Sequence, residues 1–246
     1  KPRLVFYLNS KAKVTEMKLN GQEVQFKTNE EARSNLLLVS TEITSSYASA
    51  PEFDVEMAYS IPVPDRNPAM HLSTTESFML PGSFWFPVKH TPFAEHGADT
   101  APFTLTLDTP LAQGMKLVST GVSKGPNSYE QIQAAQPLFF VGDYDVTERS
   151  NAQGGAAVEV YAPRGLDETG KQQAKRLADE ASKIVEFMTR YFGVPQSGVF
   201  RVVTVNQRGV ALAAPGVVTV DDALFRRGTL DLGTIELMAN AAARSW

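Results

Sequence analysis

Few side chains in this sequence are of the types that bind metals or act as nucleophiles. The chain has no cysteine and three histidines, His71, His90 and His96. The absence of cysteine excludes disulfides, thiolate catalysis and cysteine-based metal sites. His90 and His96 are six residues apart in HTPFAEH, a spacing that matches no common zinc pattern and is more typical of a loop. The sequence therefore argues against a metal site built from histidines.

One stretch near the end of the chain has the form of a helix that carries a site. In IELMANAAARSW, from Ile235 to Trp246, apolar residues recur at helical spacing and the alanines favour helix. The pattern predicts a helix near residues 234–246, entered at Gly233-Thr234. One interpretation is a helix that carries functional residues, and the alternative is a helix that only packs in the core.

Charged residues upstream of this helix have two interpretations. Asp221, Asp222 and Asp231 are of the type that binds a cation, but acids at the ends of strands and helices more commonly serve as caps. Arg226 and Arg227 form a two-residue basic spot that we expect to be solvated.

The elements that must position these residues change character along the chain. Up to about residue 150, short apolar runs, among them VTEMKL, EVQF and KLVSTGV, alternate with Pro, Gly, Asn and Ser clusters, which predicts a sandwich-like assembly of strands. Asn20-Gly21 lies between two of these runs and predicts a tight hairpin. After the SNAQGG segment, a helical period predicts a long helix from Asp167 to Phe192, capped by Asp167 and stopped by Gly193. Strands VFRVVTV and GVVTV follow.

Composition excludes several classes of function. The chain has 246 residues, 43% hydrophobic residues and a formal net charge of −4, an ordinary globular composition. That charge gives no basic footprint for nucleic acid. No apolar run reaches 18 residues, so the sequence predicts no membrane span. The lack of cysteine does not decide the compartment, which the sequence leaves unknown with a lean towards periplasmic or secreted.

The C-terminal stretch resembles the zinc-binding helix of the aminopeptidase N family of metallopeptidases, which reads roughly V-x-A-H-E-x-x-H-x-W. Aligned on Trp246, the first zinc histidine falls on Asn240, the general-base glutamate on Ala241, and the second histidine on Arg244. An amide is a poor zinc ligand, alanine cannot take a proton, and a guanidinium repels a dication. The resemblance thus implies a zinc site that these residues cannot build. No catalytic residue, metal or cofactor is predicted.

Two further segments resemble the peptide-binding parts of the same family. TTESFMLPGSFWFPV resembles the segment whose Gln or Glu holds the substrate amine, which places Glu76 in a cleft; an exposed carboxylate at a strand end is the alternative. RGVALAAPGVVTV resembles G-A-M-E-N-x-G, with Ala213 in place of the amine-anchoring Glu and Gly216 at the glycine. The GVVTV strand would then accept an extended peptide, or be an ordinary strand of a sheet.

Together these matches predict an all-β domain over 1–152 and the start of a thermolysin-like α+β domain over 153–246. The predicted function is a metallopeptidase-like, non-catalytic module that binds a peptide or protein through Glu76, Ala213, Gly216 and Arg244. The alternative is part of a zinc aminopeptidase whose activity depends on residues beyond this chain. Further C-terminal domains are expected. Arg244 is predicted to occupy the metal position and to pair with Glu76, Asp221 or Asp222, or with a glutamate beyond Trp246. The alternative is that Arg244 is solvated.

Overall fold

The structure is a computed structural model of the chain. It describes residues 2–34, 36–43, 52–64, 67–89, 100–150, 155–195, 198–207, 210–226 and 229–246. Contacts divide the chain into two units, Lys1–Met70 with Met79–Asp99, and His71–Phe78 with Thr100–Trp246. The predicted boundary between residues 152 and 153 falls outside the described residues, and a domain division at that point stays a prediction.

The described residues of the first unit form strands and one short 3-10 turn at Pro81–Ser83. The strands up to the end of this unit are β1 (Arg3–Asn9), β2 (Lys13–Leu19), β3 (Gln22–Glu23), β4 (Phe26–Glu31), β5 (Leu36–Glu42), β6 (Val55–Ser60), β7 (Met70–Leu72), β8 (Glu76–Met79) and β9 (Val88–Lys89). β7 and β8 straddle the border of the two units and pair in the sheet of the second.

Two sheets of the first unit pack face to face, in the orders β4-β5-β1-β9 and β3-β2-β6. Buried Leu8, Met17 and Leu37 meet between them, so the predicted sandwich is confirmed. The predicted hairpin is also confirmed, because Asn20 and Gly21 have φ of 49° and 76° between the paired β2 and β3. The predicted strand EVQF is interrupted, because residues 24–25 carry the chain from one sheet to the other.

The second unit contains the remaining strands and both helices of the described chain. They are β10 (Ala101–Thr106), β11 (Met115–Val118), β12 (Val122–Gly125), β13 (Ser128–Ala135), β14 (Phe139–Arg149), β15 (Ala157–Pro163), α1 (Glu168–Phe192), β16 (Val199–Val205), β17 (Ala213–Ala214), β18 (Val217–Asp221), a 3-10 turn (Asp222–Arg226) and α2 (Leu232–Ala243). The larger sheet has the order β17-β18-β16-β15-β14-β8-β7, and β11 pairs with β14. A separate sheet has the order β10-β13-β12.

α1 is the helix that the sequence predicts. The Asp167 carboxylate accepts a hydrogen bond of 2.8 Å from the Gly170 amide, and the chain leaves the helix at Gly193 with φ 84°. Small residues such as Ala174, Ala178 and Ala181 are fully buried in a core shared with β15 and β16. The predicted cap and stop are confirmed. The predicted apolar face packs against the core as far as Met188, whereas Tyr191 and Phe192 in the last turn are exposed.

α2 begins earlier and ends earlier than predicted. It runs over Leu232–Ala243 because the Asp231 carboxylate accepts from the Thr234 amide at 2.7 Å, which makes Asp231 the N-cap. The predicted apolar stripe is confirmed, since Met238 and Ala242 are buried and Ile235 and Trp246 pack against the same core. Neither helix in the described parts of the chain has the length and apolar composition needed to span a membrane.

A buried cation connects the two sheets of the second unit. The Arg201 side chain on β16 is 3% exposed, and its Nε donates to the Glu159 carboxylate at 3.0 Å. Its Nη1 donates to the carbonyls of Ser119 (3.2 Å) and Gly121 (2.8 Å), and its guanidinium carbon lies 5.2 Å from the Tyr129 ring centroid. These contacts hold the segment between β11 and β12 against the large sheet.

Two features of this region differ from the sequence-based expectation. The predicted strand KLVSTGV is broken at residues 119–121, where the chain turns its carbonyls towards Arg201 and Gly121 has φ 84°. A Cβ on Gly121 would lie 2.2 Å from the Glu130 carbonyl oxygen, so only glycine fits there. The local pattern does not predict β13, because its buried side chains include Gln131 while its Ile132 is 70% exposed.

Replacement of Arg201 by methionine tests this connection. Glu159 would lose its cationic partner, and we expect a loss of about 3–5 kcal/mol in the free energy of unfolding, measured by urea denaturation. The matched control is Arg149→Met, which removes a more exposed pair with Asp179 and should cost less than about 1 kcal/mol. Equal effects of the two substitutions would contradict the role given to Arg201.

Candidate functional site

The exposed face of α2 carries the residues that the sequence aligns with a zinc-binding motif. Asn240 and Arg244 are both exposed, and the Arg244 Nε donates to the Asn240 Oδ1 at 3.1 Å. Ala241, the residue aligned with the general base, is fully buried in the core shared with α1. Two of the three positions therefore interact with each other, and the third belongs to the core.

The last residues of the chain fix the end of α2 against its neighbours. The Trp246 indole N–H donates to the Gly193 carbonyl at 2.6 Å, which ties this end to the end of α1. The Ser245 hydroxyl oxygen accepts from the Gly216 amide at 2.8 Å, which ties it to the start of β18. The position of Arg244 is thus set by these two contacts and by the helix itself.

The residues on this face do not fit a zinc ion. Zinc takes neutral imidazole, thiolate or carboxylate ligands, and Asn240 and Arg244 offer an amide and a permanently charged guanidinium. Within the part of the chain that the structure describes, no group of three His, Asp or Glu side chains lies close enough to share a metal ion. The side chains of Asn240 and Arg244 therefore provide no ligand set for metal-dependent chemistry.

Glu76 lies in a cleft of about 210 Å³ within the second unit. Its two carboxylate oxygens accept from the backbone N–H of Asn206, at 3.0 and 3.3 Å. The residues that line the cleft are Thr75, Glu76, Gly142, Asp143, Tyr144, Pro163, Arg164, Thr204, Asn206 and Asp222. Several of them follow the carboxyl ends of the parallel strands β15, β16 and β18, where α/β sheets commonly place ligands.

The cleft changes the protonation behaviour of Glu76. Burial raises the pKa of its carboxyl group above the ordinary 4.5, and the Asp222 carboxylate acts in the same direction. The hydrogen bond from Asn206 and the charge of His71 lower the pKa and offset part of that effect. Burial also raises the pKa of Tyr144, whose hydroxyl donates to the Thr204 carbonyl at 3.2 Å. Glu76 is therefore a half-buried carboxylate and not the exposed strand end of the alternative.

Glu76 and Arg244 do not share a site in this structure. Arg244 is next to Ser245, which contacts Gly216 at the start of β18, whereas Asp222 follows the end of that strand and lines the Glu76 cleft. The length of β18 separates the two places by about 16 Å. The predicted pairing of Arg244 with Glu76, Asp221 or Asp222 does not occur in this structure, since no carboxylate among the described residues lies within ion-pair distance of Arg244. A pairing with a glutamate beyond Trp246 stays a prediction.

The strand predicted to accept a peptide, GVVTV, is not an edge strand. β18 is paired with β16 on one side and β17 on the other. The Thr219 hydroxyl accepts from the Leu212 amide at 2.8 Å and donates to the Val210 carbonyl at 3.0 Å, which extends that pairing. The expected addition of a peptide to β18 is therefore wrong, because the chain itself occupies the position.

The edge position belongs to β17. The Thr219 amide donates to the Leu212 carbonyl, so Ala213 and Val218 form a pair without mutual hydrogen bonds. The N–H and C=O of Ala213 consequently point away from β18. Gly216, by contrast, has its amide bound to Ser245 and its carbonyl bound to the Arg201 amide at 2.8 Å. Of these two predicted peptide-binding residues, Ala213 is the one whose backbone N–H and C=O can pair with a peptide.

The remaining candidates have structural roles or lie outside the described residues. Asp221 accepts from the Ala223 backbone amide at 2.8 Å, in agreement with a role as a cap, whereas Asp222 forms an ion pair with Arg226 at 2.6 Å. His71 packs beside Phe78 with ring centroids 5.7 Å apart. The positions of His90, His96 and Arg227 are not described by the structure.

Comparison with known proteins gives a likeness in fold. No protein-family model and no curated protein matches the chain. The structure of native yeast LTA4 hydrolase matches with a TM-score of 0.69 and 15% identity, covering 100% of this chain and 39% of that one. The M1 zinc metallopeptidase from Deinococcus radiodurans matches with a TM-score of 0.66 and 15% identity, covering 99% of this chain and 56% of that one.

A variant of the Deinococcus enzyme bound to the substrate Tyr-Ser-Ala also matches, with a TM-score of 0.59 and 15% identity over 99% of this chain and 56% of that one. The structural neighbours of this chain are thus zinc metallopeptidases, and the predicted fold, an all-β sandwich region followed by an α/β region, is confirmed. The chain spans between about two fifths and three fifths of the length of these proteins.

Substitution of Ala241 by glutamate tests its place in the core. The side chain would bring an unpaired carboxylate into an apolar environment, so we expect a loss of at least about 3 kcal/mol in the free energy of unfolding. Ala243→Glu on the exposed side of the same helix is the control, and should change stability by about 0.5 kcal/mol or less. Urea denaturation of both variants makes the comparison. A well-tolerated glutamate at 241 would contradict the buried position.

The raised pKa of Glu76 predicts a pH dependence. A carboxyl group whose pKa is higher in the folded state contributes stability below its ordinary pKa, and that contribution is lost as the pH rises through the folded value. Glu76→Gln keeps an acceptor for the Asn206 amide and removes the charge. We therefore expect the variant to have the higher melting temperature at neutral pH, with the difference vanishing below the ordinary pKa of 4.5.

The control for this experiment is Glu148→Gln, at an exposed position on β14. Across the acid range, the difference in melting temperature between variant and parent protein should change with pH for Glu76→Gln and stay constant for Glu148→Gln. A Glu76→Gln variant that is less stable than the parent protein at neutral pH would show that the charged carboxylate is favourable in the cleft.

Proposed function

We propose that this chain is part of a protein related to the M1 zinc metallopeptidases and acts as a non-catalytic module that binds peptides or proteins. The observation that carries the proposal is the exposed face of α2, where the Asn240 amide and the Arg244 guanidinium bond to each other at 3.1 Å. In the aligned motif, the same two positions belong to zinc-binding histidines.

The chemistry of this face favours binding over hydrolysis. A zinc site needs lone pairs directed at the ion, whereas Arg244 presents N–H donors and a positive charge. A general base needs a titratable side chain that reaches a water molecule, whereas Ala241 has none and is buried in the core. The hydrolytic chemistry expected of the aligned motif therefore has no side chains to perform it in α2.

The edge of the large sheet supports a role in peptide binding. β17 ends the sheet order in the described chain, and the backbone of Ala213 points outward from it. An exposed strand edge of this kind binds extended peptides through main-chain hydrogen bonds. The Deinococcus metallopeptidase, which has a similar fold, is known bound to the peptide Tyr-Ser-Ala.

A second candidate function follows from the length of the structural neighbours. The chain covers 39% of yeast LTA4 hydrolase and 56% of the Deinococcus enzyme. In this alternative, the chain serves a zinc aminopeptidase or hydrolase whose activity depends on residues beyond those given. Asn240 and Arg244 would then lie beside a catalytic site without taking part in it.

An assay of the protein at its full natural length separates the two functions. With added zinc and alanine p-nitroanilide, we expect no hydrolysis above that of an Asn240→Ala/Arg244→Ala variant, because neither residue supports a zinc-bound water. Calorimetry should show that the parent protein binds Tyr-Ser-Ala, and the peptide should remain uncleaved. Hydrolysis that is lost in the double variant would contradict the proposal. Hydrolysis that survives it would favour the alternative.

A further inference from the structure

Arg244 differs from other exposed arginines of the second unit in what it binds. Arg164, Arg190 and Arg226 each lie within 4.0 Å of a carboxylate, on Asp143, Glu186 and Asp222 respectively. Arg244 contacts the neutral Asn240, and the structure gives it no acidic partner in the residues it describes. Its charge is therefore uncompensated within the described chain.

Asn240 fixes the orientation of this guanidinium. The hydrogen bond of 3.1 Å uses the Nε donor, one of five that an arginine carries. Within the described residues, the two terminal nitrogens make no hydrogen bond. These nitrogens form one edge of the planar guanidinium, and that edge matches the two oxygens of a carboxylate. The Arg244 side chain therefore runs back along α2 to Asn240, and the pair leaves the edge of the two terminal nitrogens available to an anion.

α2, whose last residue comes directly before Arg244, packs against β17 and β18 at the exposed edge of the large sheet. Ser245 contacts the Gly216 amide at 2.8 Å in the turn that joins β17 to β18. Ala213, whose N–H and C=O point outward, is three residues before that turn glycine. Backbone groups that pair with an extended chain and a cation without an acidic partner therefore occur at one corner of the sheet.

We infer that Arg244, oriented by Asn240, binds a carboxylate of a peptide that pairs with β17. The inference rests on the proposed peptide-binding function and names the chemistry of the ligand, a peptide with a free carboxylate near the strand edge. Charge complementarity selects this ligand, because Arg244 carries a positive charge and Ala213 on the neighbouring strand carries no negative one. A ligand anchored by its amine would meet repulsion from Arg244.

The experiment uses a fluorescein-labelled pentapeptide of alternating alanine and valine, prepared with a free C-terminal carboxylate and as the C-terminal amide. Fluorescence anisotropy with the protein at its full natural length should show tighter binding of the acid by about tenfold, as expected for a charge-assisted hydrogen bond pair. In Arg244→Ala the preference should vanish, and in Arg244→Lys it should be partly retained, since lysine keeps the charge without the planar edge. Arg226→Ala is the matched control and should leave the preference unchanged.

The outcomes separate this inference from the function on which it rests. Equal binding of acid and amide would overturn the role of Arg244 and leave peptide binding intact. A preference for the acid that persists in Arg244→Ala would place the anion site elsewhere and also overturn it. If Arg244→Ala lowers the melting temperature without changing either affinity, the guanidinium serves the folded chain and the inference fails. Binding of neither peptide would contradict the proposed peptide-binding function itself.

Discussion

The second unit depends on the pairing of one buried cation. Arg201 cannot lose its charge, and its side chain is 3% exposed, so every N–H that it buries must find an acceptor. Glu159 supplies the countercharge and accepts from Nε, and two carbonyls from the segment between β11 and β12 accept from Nη1. That requirement explains why the strand predicted there is broken at residues 119–121.

Strand β16, which carries Arg201, connects the buried cation to the candidate site. The Arg201 amide donates to the Gly216 carbonyl, and the Gly216 amide donates to Ser245, the residue after Arg244. A chain of contacts therefore runs from the core of the sheet to the exposed face of α2. These contacts fix the turn between β17 and β18 and hold the end of α2 against it.

Local features of the fold are predictable from the sequence, because short-range physics determines them. The helical period, the Asp167 cap and the Gly193 stop define α1, and Asn20-Gly21 defines the hairpin between β2 and β3. The contact between Asn240 and Arg244 is of the same kind, since residues four apart on a helix are neighbours.

Features that depend on distant residues are not predictable from local patterns. β13 buries Gln131 and exposes Ile132, which reverses the hydropathy pattern that identifies a strand. The bond between Glu76 and Asn206 joins residues 130 positions apart. The hydrogen bond from the Gly216 amide to Ser245 also depends on tertiary structure. The same is true of the pairing of β18 with residues 210–214. For this reason the sequence pattern places the peptide edge on β18, one strand away from its place in the structure.

The corner formed by α2 and β17 brings these points together. A fold shared with zinc metallopeptidases presents, on this face, a closed amide–guanidinium pair, a core alanine and an open strand edge. We propose this face as a binding surface for a peptide with a free carboxylate, because Asn240 and Arg244 offer hydrogen-bond donors and a positive charge and not the ligands of a metal centre.

The most direct test of this central claim is anomalous X-ray diffraction at the zinc edge, from crystals of the protein at its full natural length grown with zinc. We expect no zinc ion bonded to Asn240 and an intact hydrogen bond between Asn240 and Arg244. A fully occupied zinc ion within about 2.3 Å of the Asn240 side chain, with Arg244 displaced, would contradict the claim.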